Sequence, residues 1–164
     1  MTKLIDAFIF FNEIELLKFR LEYLNDIVDY FIIAESNKSF TGRDKKLIIP
    51  QIINQFPQEI LNKIIYISVD DMPIGSTYQD NESRERHQRC SLDKGISKLN
   101  LSENDILMIS DIDEIPDKSK LKSLKINGDF EVCNLEFYNF GGSIKHQIFS
   151  KNGDPEMWYC FKNY

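Results

Sequence analysis

Two aspartates one residue apart, Asp111 and Asp113, lie in Ser110-Asp111-Ile112-Asp113-Glu114, directly behind the apolar run DILMI of residues 105–109. Carboxylates this close repel one another when both are charged, and a divalent cation between them relieves the repulsion. An all-oxygen donor set favours Mg²⁺ or Mn²⁺ over zinc. A metal held this way can clamp a diphosphate and neutralise a departing anion. Acidic triplets also occur on solvated turns, and it is the placement behind an apolar run that favours the metal reading. Asp111 and Asp113 are therefore the candidate metal ligands.

Other polar groups follow other apolar runs. Asn12-Glu13 comes after residues 4–11, and Glu35-Ser36-Asn37 comes after residues 30–34. Taken singly, Glu13 can complement a helix N-terminus, and Glu35 and Asn37 can cap or turn the chain. The stretch Glu82-Ser83-Arg84-Glu85-Arg86-His87-Gln88-Arg89 adds cations. On a helix Glu82, Arg86 and Arg89 share one face, and Glu85 pairs with Arg89 four residues on. Arginine suits phosphate geometry, so Arg86 or Arg89 is expected to meet the anion that the metal also holds. An exposed, salt-bridged face is the competing reading. Trp158, the single tryptophan, can stack on a sugar ring or fill the core.

The elements that must position these groups alternate. Apolar runs at residues 4–11, 30–34, 64–69 and 105–109 read as strands. Residues 14–28, 51–62, 82–99 and 117–125 carry helical spacing, with Pro57 placed to break the second of these. Residues 130–140 and 143–150 read as two more strands joined at Gly141-Gly142. Short, nearly all-apolar strands that each precede a helix predict an α/β fold: a mostly parallel central sheet with helices on both faces. Ligands of such sheets bind at the carboxyl ends of the strands, which is where the acidic and amide groups fall.

Composition limits the function. The 164 residues carry 20 Lys and Arg against 26 Asp and Glu, a net charge of −6. A general nucleic-acid binder needs a basic face, so that class is excluded. An anionic ligand needs local cations or a metal, because the overall field repels it. The N-terminal MTKLIDAFIFFNEIE is interrupted by Asp6 and has no small-residue cleavage site, so it reads as a core strand and not as a signal peptide. No stretch has the length of a transmembrane segment. Cys90, Cys133 and Cys160 form no CxxC pair, which predicts packed, reduced thiols and a cytoplasmic location.

In order, the blocks FIFFNEIELLKFRLEYLNDIVDYFIIAESNKSFTG, KIIYISVDDMP, ERHQR and NDILMISDIDEIP resemble the family-17 glycosyltransferases, the β-1,4-mannosyl-glycoprotein β-1,4-N-acetylglucosaminyltransferase family with its bacterial and viral relatives. The resemblance covers residues 4–116, about two-thirds of the chain. It implies a GT-A type Rossmann-like domain, a UDP-sugar donor, Mn²⁺ or Mg²⁺, a glycan or other hydroxyl acceptor, and inversion at the anomeric carbon. By position it puts Phe11, Asn12 and Glu13 beside the nucleotide base and Glu35 near the base or ribose. Gln88 and Arg89 match the family's Gln-Arg on the helix before the DxD strand. Asp111 and Asp113 match the DxD that holds metal and diphosphate. Where the family often has Asn after Gln-Arg, this chain has Cys90.

Read this way, residues 1–164 are one glycosyltransferase-like domain. Residues 1–116 form its nucleotide-sugar-binding half, and residues 117–164 are a short acceptor-side or truncated region. In a single displacement a carboxylate takes the acceptor proton. Glu156, two residues before Trp158, is the expected base, with Glu136 as the alternative. The competing functional class is a non-catalytic or truncated module that binds a nucleotide sugar without transferring it.

Overall fold

The structure is a computed structural model that describes residues 2–127, together with the backbone of four short segments at 132–133, 139–140, 147–148 and 160–162. Four parallel strands form its centre in the order β3-β2-β1-β4: β1 (Leu4–Phe10), β2 (Tyr30–Ser36), β3 (Ile64–Val69) and β4 (Ile106–Asp111). Ala7 of β1 stands opposite Ile32 of β2 and Ile109 of β4, which fixes the register. The connecting helices are α1 (Ile14–Leu24), α2 (Ile49–Ile52), α3 (Gln58–Leu61), α4 (Tyr78–Cys90), α5 (Asp93–Ile96) and, after β4, α6 (Lys118–Asn127). Beyond β4 the sheet continues antiparallel through β8 (Cys160–Lys162) to β5 (Val132–Cys133), and β6 (Asn139–Phe140) pairs with β7 (Gln147–Ile148) in a separate ribbon. The expected α/β Rossmann-like architecture is present, with the 3-2-1-4 order of a dinucleotide-binding sheet.

Side chains alternate along a strand, so a sheet covered on both faces needs apolar residues at every position. All seven residues of β1 are buried. Leu4, Phe8 and Phe10 join Phe31 and Ile33 in one core, where α1 contributes Leu17, Leu21 and Leu24, and α6 contributes Leu121. Ile5, Ala7 and Ile9 join Ile32, Ala34, Ile67 and Val69 in the other, with Leu92 and Ile96 packed over them. Gly95 of α5 allows that second layer to come close, since a Cβ there would stand 2.5 Å from Cγ2 of Ile32.

Several element boundaries differ from the sequence reading. The segment expected as a helix at 51–62 is split into α2, a 3₁₀ turn (Ile53–Gln55) and α3. Pro57 forces Phe56 into an extended conformation, φ −84° and ψ 147°. The helix expected at 82–99 starts earlier, at Tyr78, because Thr77 and Asp80 form a reciprocal capping box. It ends at Cys90, and α5 follows as a separate short helix. The strand expected at 105–109 runs on through Ser110 and Asp111, so the first aspartate of the pair belongs to β4 itself.

A buried charge breaks the apolar rule in the middle of β1. Asp6, in the middle of β1, and Arg20, on the buried stripe of α1, are both fully buried and form a two-pronged ion pair at 2.9 and 2.7 Å. The guanidinium lies over the Phe8 ring, 4.4 Å from its centroid. Its remaining donors leave α1 altogether and reach the end of β4. They bond the Asp111 carbonyl at 2.6 Å, the Ile112 carbonyl at 3.1 Å and the Ser110 hydroxyl.

Removing one member of a buried pair strands the other charge. Arg20→Met or Asp6→Val alone is expected to lower the unfolding free energy by about 3–5 kcal/mol in urea denaturation. The double substitution is expected to cost less than either single one, because no buried charge is left. Gly95→Ala is expected to cost about 1–3 kcal/mol in the same assay, as overpacking against Ile32.

Candidate functional site

In an open parallel sheet the crevice forms at the carboxyl ends of the strands, where the strand order reverses. Here that point lies between β1 and β4, and a cleft of about 270 Å³ opens there. The end of β1 supplies Ile9, Phe10 and Phe11, and the turn after it supplies Glu13. The end of β4 supplies Asp111, Ile112 and Asp113. Glu85 and Gln88 of α4 line the cleft from another side, and Phe40 from the loop after β2 completes its wall.

The acidic turn is fastened at several places. Ile112 turns inward, 5% exposed, and joins the core beneath α1. Asp111 and Asp113, on either side of it, are left facing the cleft. The Asp111 amide donates to Glu114 Oε2 at 2.5 Å, and the Glu114 amide donates back to the Asp111 carbonyl at 3.1 Å. Burial, together with the charges of Asp113 and Glu85 and against the pull of Arg89, holds the Asp111 carboxyl above the ordinary carboxylate range. Burial pushes Glu114 up to about 8, with Asp111 and Asp113 adding to the effect. This rim is short of positive charge.

Helix α4 divides its side chains between two tasks. Arg89 donates to Glu85 Oε1 and to Asp111 Oδ1, both at 2.9 Å, so the expected Glu85–Arg89 pair extends to the acidic turn. Gln88 is buried, and its amide donates to the carbonyls of Phe10 and Ala34, at the ends of β1 and β2. Arg84 is buried too and grips two loops, donating to the carbonyls of Phe40, Pro73 and Gly75. Arg86 is exposed and is not among the cleft residues. Of the arginines named from the sequence, Arg89 is the one that this structure brings to the acidic turn.

Phe11 sits at the mouth of the cleft with 42% of its surface exposed, and Lys45 Nζ lies 5.5 Å from its ring centroid. Asn12 is exposed beside it. The Glu13 carboxylate folds back to accept the amides of Phe11 and Asn12 at 3.2 and 3.0 Å, which shapes the turn into α1. Glu35 stands apart from this group. Its carboxylate is fully buried and accepts from Lys45, from the amides of Ile48 and Ile49, and from the Tyr66 hydroxyl, at 2.7–3.1 Å. The structure thus gives Glu35 a bracing role at the entry to α2. Burial of Tyr66, with the Glu35 charge beside it, raises the Tyr66 hydroxyl pKa well above the usual tyrosine value. Glu136, Glu156 and Trp158 lie outside the described residues.

The residues that could hold a metal are all oxygen donors, which suits a hard cation. Asp111 and Asp113 share one turn and one cleft. Among the described residues no three His, Cys, Asp or Glu side chains converge as a closed metal site. A cation here would be completed by water or ligand oxygens, as Mg²⁺ commonly is. The residues that sequence reading missed are Asp6, Arg20, Arg84, Phe40 and Glu114. Asp6 had a visible signal, a lone charge inside an apolar strand.

Among the described residues no helix is long and apolar enough to cross a membrane. The family model described as "Glycosyltransferase family 17" matches residues 1–154. The chain is 32% identical over 127 residues to the rat protein named beta-1,4-mannosyl-glycoprotein 4-beta-N-acetylglucosaminyltransferase, a match covering 76% of this chain and 23% of that one. It is 33% identical over 118 residues to the human protein of the same name, covering 70% of this chain and 22% of that one. The mouse protein matches at 32% over 127 residues, with 76% and 23% covered. The chain thus spans about a quarter of the length of these curated relatives. No solved structure matches it. With its family match running nearly end to end and an acidic turn at the reversal point of its sheet, the chain belongs to glycosyltransferase family 17.

Proposed function

We propose that this protein is a metal-dependent, inverting glycosyltransferase that moves N-acetylglucosamine from a UDP-sugar to a hydroxyl of a glycan or other acceptor. The observation that carries the reading is the pair Asp111 and Asp113 at one cleft, with Arg89 hydrogen-bonded to Asp111. The donor sugar comes from the names of the relatives, and a GT-A type arrangement is part of the same proposal.

Several residues at or beside the cleft have a task in this reading. Phe11, the exposed aromatic at the mouth, offers a flat apolar face to the uracil ring. Asn12 offers polar groups beside it. Arg89, already turned toward Asp111, is within reach of a diphosphate and matches its oxygens better than lysine would. Asp111 and Asp113 would hold a Mn²⁺ or Mg²⁺ ion, which would supply charge neutralisation for the departing UDP. The acceptor oxygen bonds to C1 of the sugar as the bond from C1 to the UDP oxygen breaks, and the acceptor proton passes to a carboxylate. Glu156, with Glu136 as the alternative, is the proposed base.

Thermal unfolding tests the donor site. UDP with Mn²⁺ at about 100 times its dissociation constant is expected to raise the melting temperature by about 5–10 °C. Asp113→Ala is expected to abolish that rise while leaving the ligand-free melting point close to wild type, because Asp113 is exposed. If neither UDP nor Mn²⁺ moves the wild-type curve, the reading fails. Donor binding without sugar transfer to any acceptor would favour the non-catalytic module instead.

Calorimetry separates the two arginines of α4. Arg89→Ala is expected to weaken UDP–Mn²⁺ binding about 10- to 100-fold, the loss of a charge-assisted hydrogen bond. Arg86→Ala is expected to leave the affinity unchanged.

A further inference from the structure

Arg20 uses every N–H of its guanidinium and is not itself among the residues that line the cleft, although two of its partners, Asp111 and Ile112, are. Its five N–H groups meet five acceptors. Nε and one Nη2 donor hold the Asp6 carboxylate at 2.9 and 2.7 Å. The other Nη2 donor reaches the Ser110 hydroxyl. Both Nη1 donors reach the carbonyls of Asp111 and Ile112, at 2.6 and 3.1 Å. Arg20 and Asp6 are 0% exposed.

Stability alone does not account for this arrangement. A buried ion pair usually gains little over an apolar pair of the same volume, because desolvation offsets the attraction. The surrounding layer of Leu17, Leu21, Phe8 and Phe10 would accept apolar side chains at both positions. What an apolar pair cannot do is bond two consecutive carbonyls of a turn. Those carbonyls belong to Asp111 and Ile112. Fixing them fixes the peptide planes from which the Asp111 and Asp113 side chains project. Ile112 in the core and Glu114 on the Asp111 amide complete the fastening.

We infer that Arg20, oriented by Asp6, is a positioning residue that sets the Asp111-Ile112-Asp113 turn in the conformation that receives a divalent cation with a nucleoside diphosphate. The inference rests on the proposed donor site. Arg20 touches neither ligand. Its effect passes through two backbone carbonyls, and the planar fork is required, since a lysine can make the charge contact with Asp6 but cannot span to both carbonyls.

The test uses the full chain in three forms: wild type, Arg20→Lys, and the charge-free Asp6→Val/Arg20→Met pair. Amide hydrogen exchange is followed without ligand. In wild type the Glu114 amide, bonded to the Asp111 carbonyl, is expected to exchange at least about 100-fold more slowly than an open turn. In the charge-free pair that protection is expected to fall at least about 10-fold more than protection of the β1 and β2 amides. Affinity for UDP with Mn²⁺ is then measured by calorimetry, and it is expected to fall at least about 10-fold in both variants.

The outcomes separate. A wild-type Glu114 amide that exchanges as freely as an open loop overturns the inference, and this measurement needs no variant to fold. Variants that fold and bind UDP with Mn²⁺ as wild type does overturn it as well. A wild type that binds neither UDP nor Mn²⁺ overturns the functional reading, and the role of Arg20 in donor binding falls with it. Loss of affinity together with selective loss of turn protection supports the inference.

Discussion

A carboxylate and a guanidinium in the dry interior of a sheet-and-helix layer are tolerated only if every hydrogen-bonding group finds a partner. For Asp6 and Arg20 that requirement reaches well beyond the pair. The carboxylate uses two of the five guanidinium donors, and the other three are satisfied only if β4 ends where it does and turns as it does. Docking α1 on the sheet and shaping the acidic turn are therefore one problem. Leu17, Leu21 and Leu24 set the height of the helix, and the height of the helix sets where the guanidinium meets the carbonyls. A shift of α1 by a fraction of a turn would leave charges unpaired in the core as well as moving the cleft wall.

The same device recurs around the carboxyl edge of the sheet. The segments there are rich in polar residues and have little apolar surface with which to anchor themselves. Charged side chains rooted in regular elements grip their backbone instead. Arg84, from α4, takes carbonyls of the two loops that follow β2 and β3. Glu35, from β2, takes the amides that open α2. Glu114 takes the amide of Asp111. Each gripping group is buried or half-buried, where a hydrogen bond to a charge is strong and an unmade one is costly. The result is a cleft with loop-borne walls and little dependence on apolar packing of the loops. Arg89 belongs to a different category. It is one-third exposed, bridges two carboxylates and is anchored to no backbone, which leaves it free to change partners.

Much of this could be read from the chain. The four nearly all-apolar runs indicated the parallel sheet because strands buried on both faces show little polar alternation. Asp111 and Asp113 stood out because an acidic pair directly follows such a run. The extent of α4 was less visible, since Thr77 and Asp80 form a capping box ahead of a helix with almost no apolar stripe. Gln88 and Arg89 are neighbours in sequence with opposite fates, one buried on strand ends and one at the acidic turn, and only the rotation of the helix decides between them. Glu35 carried the right residue type at a strand end, yet a lysine, two amides and a tyrosine claim its oxygens, and all of them come from later in the chain. Arg20 looked like one more polar residue on an amphipathic helix. Its importance depends on Asp6, fourteen residues before it, and on a turn some ninety residues after it. Contacts at that separation leave no local trace.

Helix α4 has a consequence for how such a chain can change. Residues 84 and 88 fasten the helix to loops and strand ends, while Glu85 and Arg89 pair with each other and Arg89 reaches Asp111. The two pairs are adjacent tracks on one cylinder, separated by a single residue step of about 100°. One residue inserted or deleted between 84 and 88 would turn Gln88 and Arg89 by about 100° relative to Arg84, breaking the hold on the strand ends and the reach to Asp111 together. Side chains in this stretch can be exchanged one at a time, but its length cannot drift. The segment is a ruler of fixed gauge, and mutations that alter chain length must settle outside it.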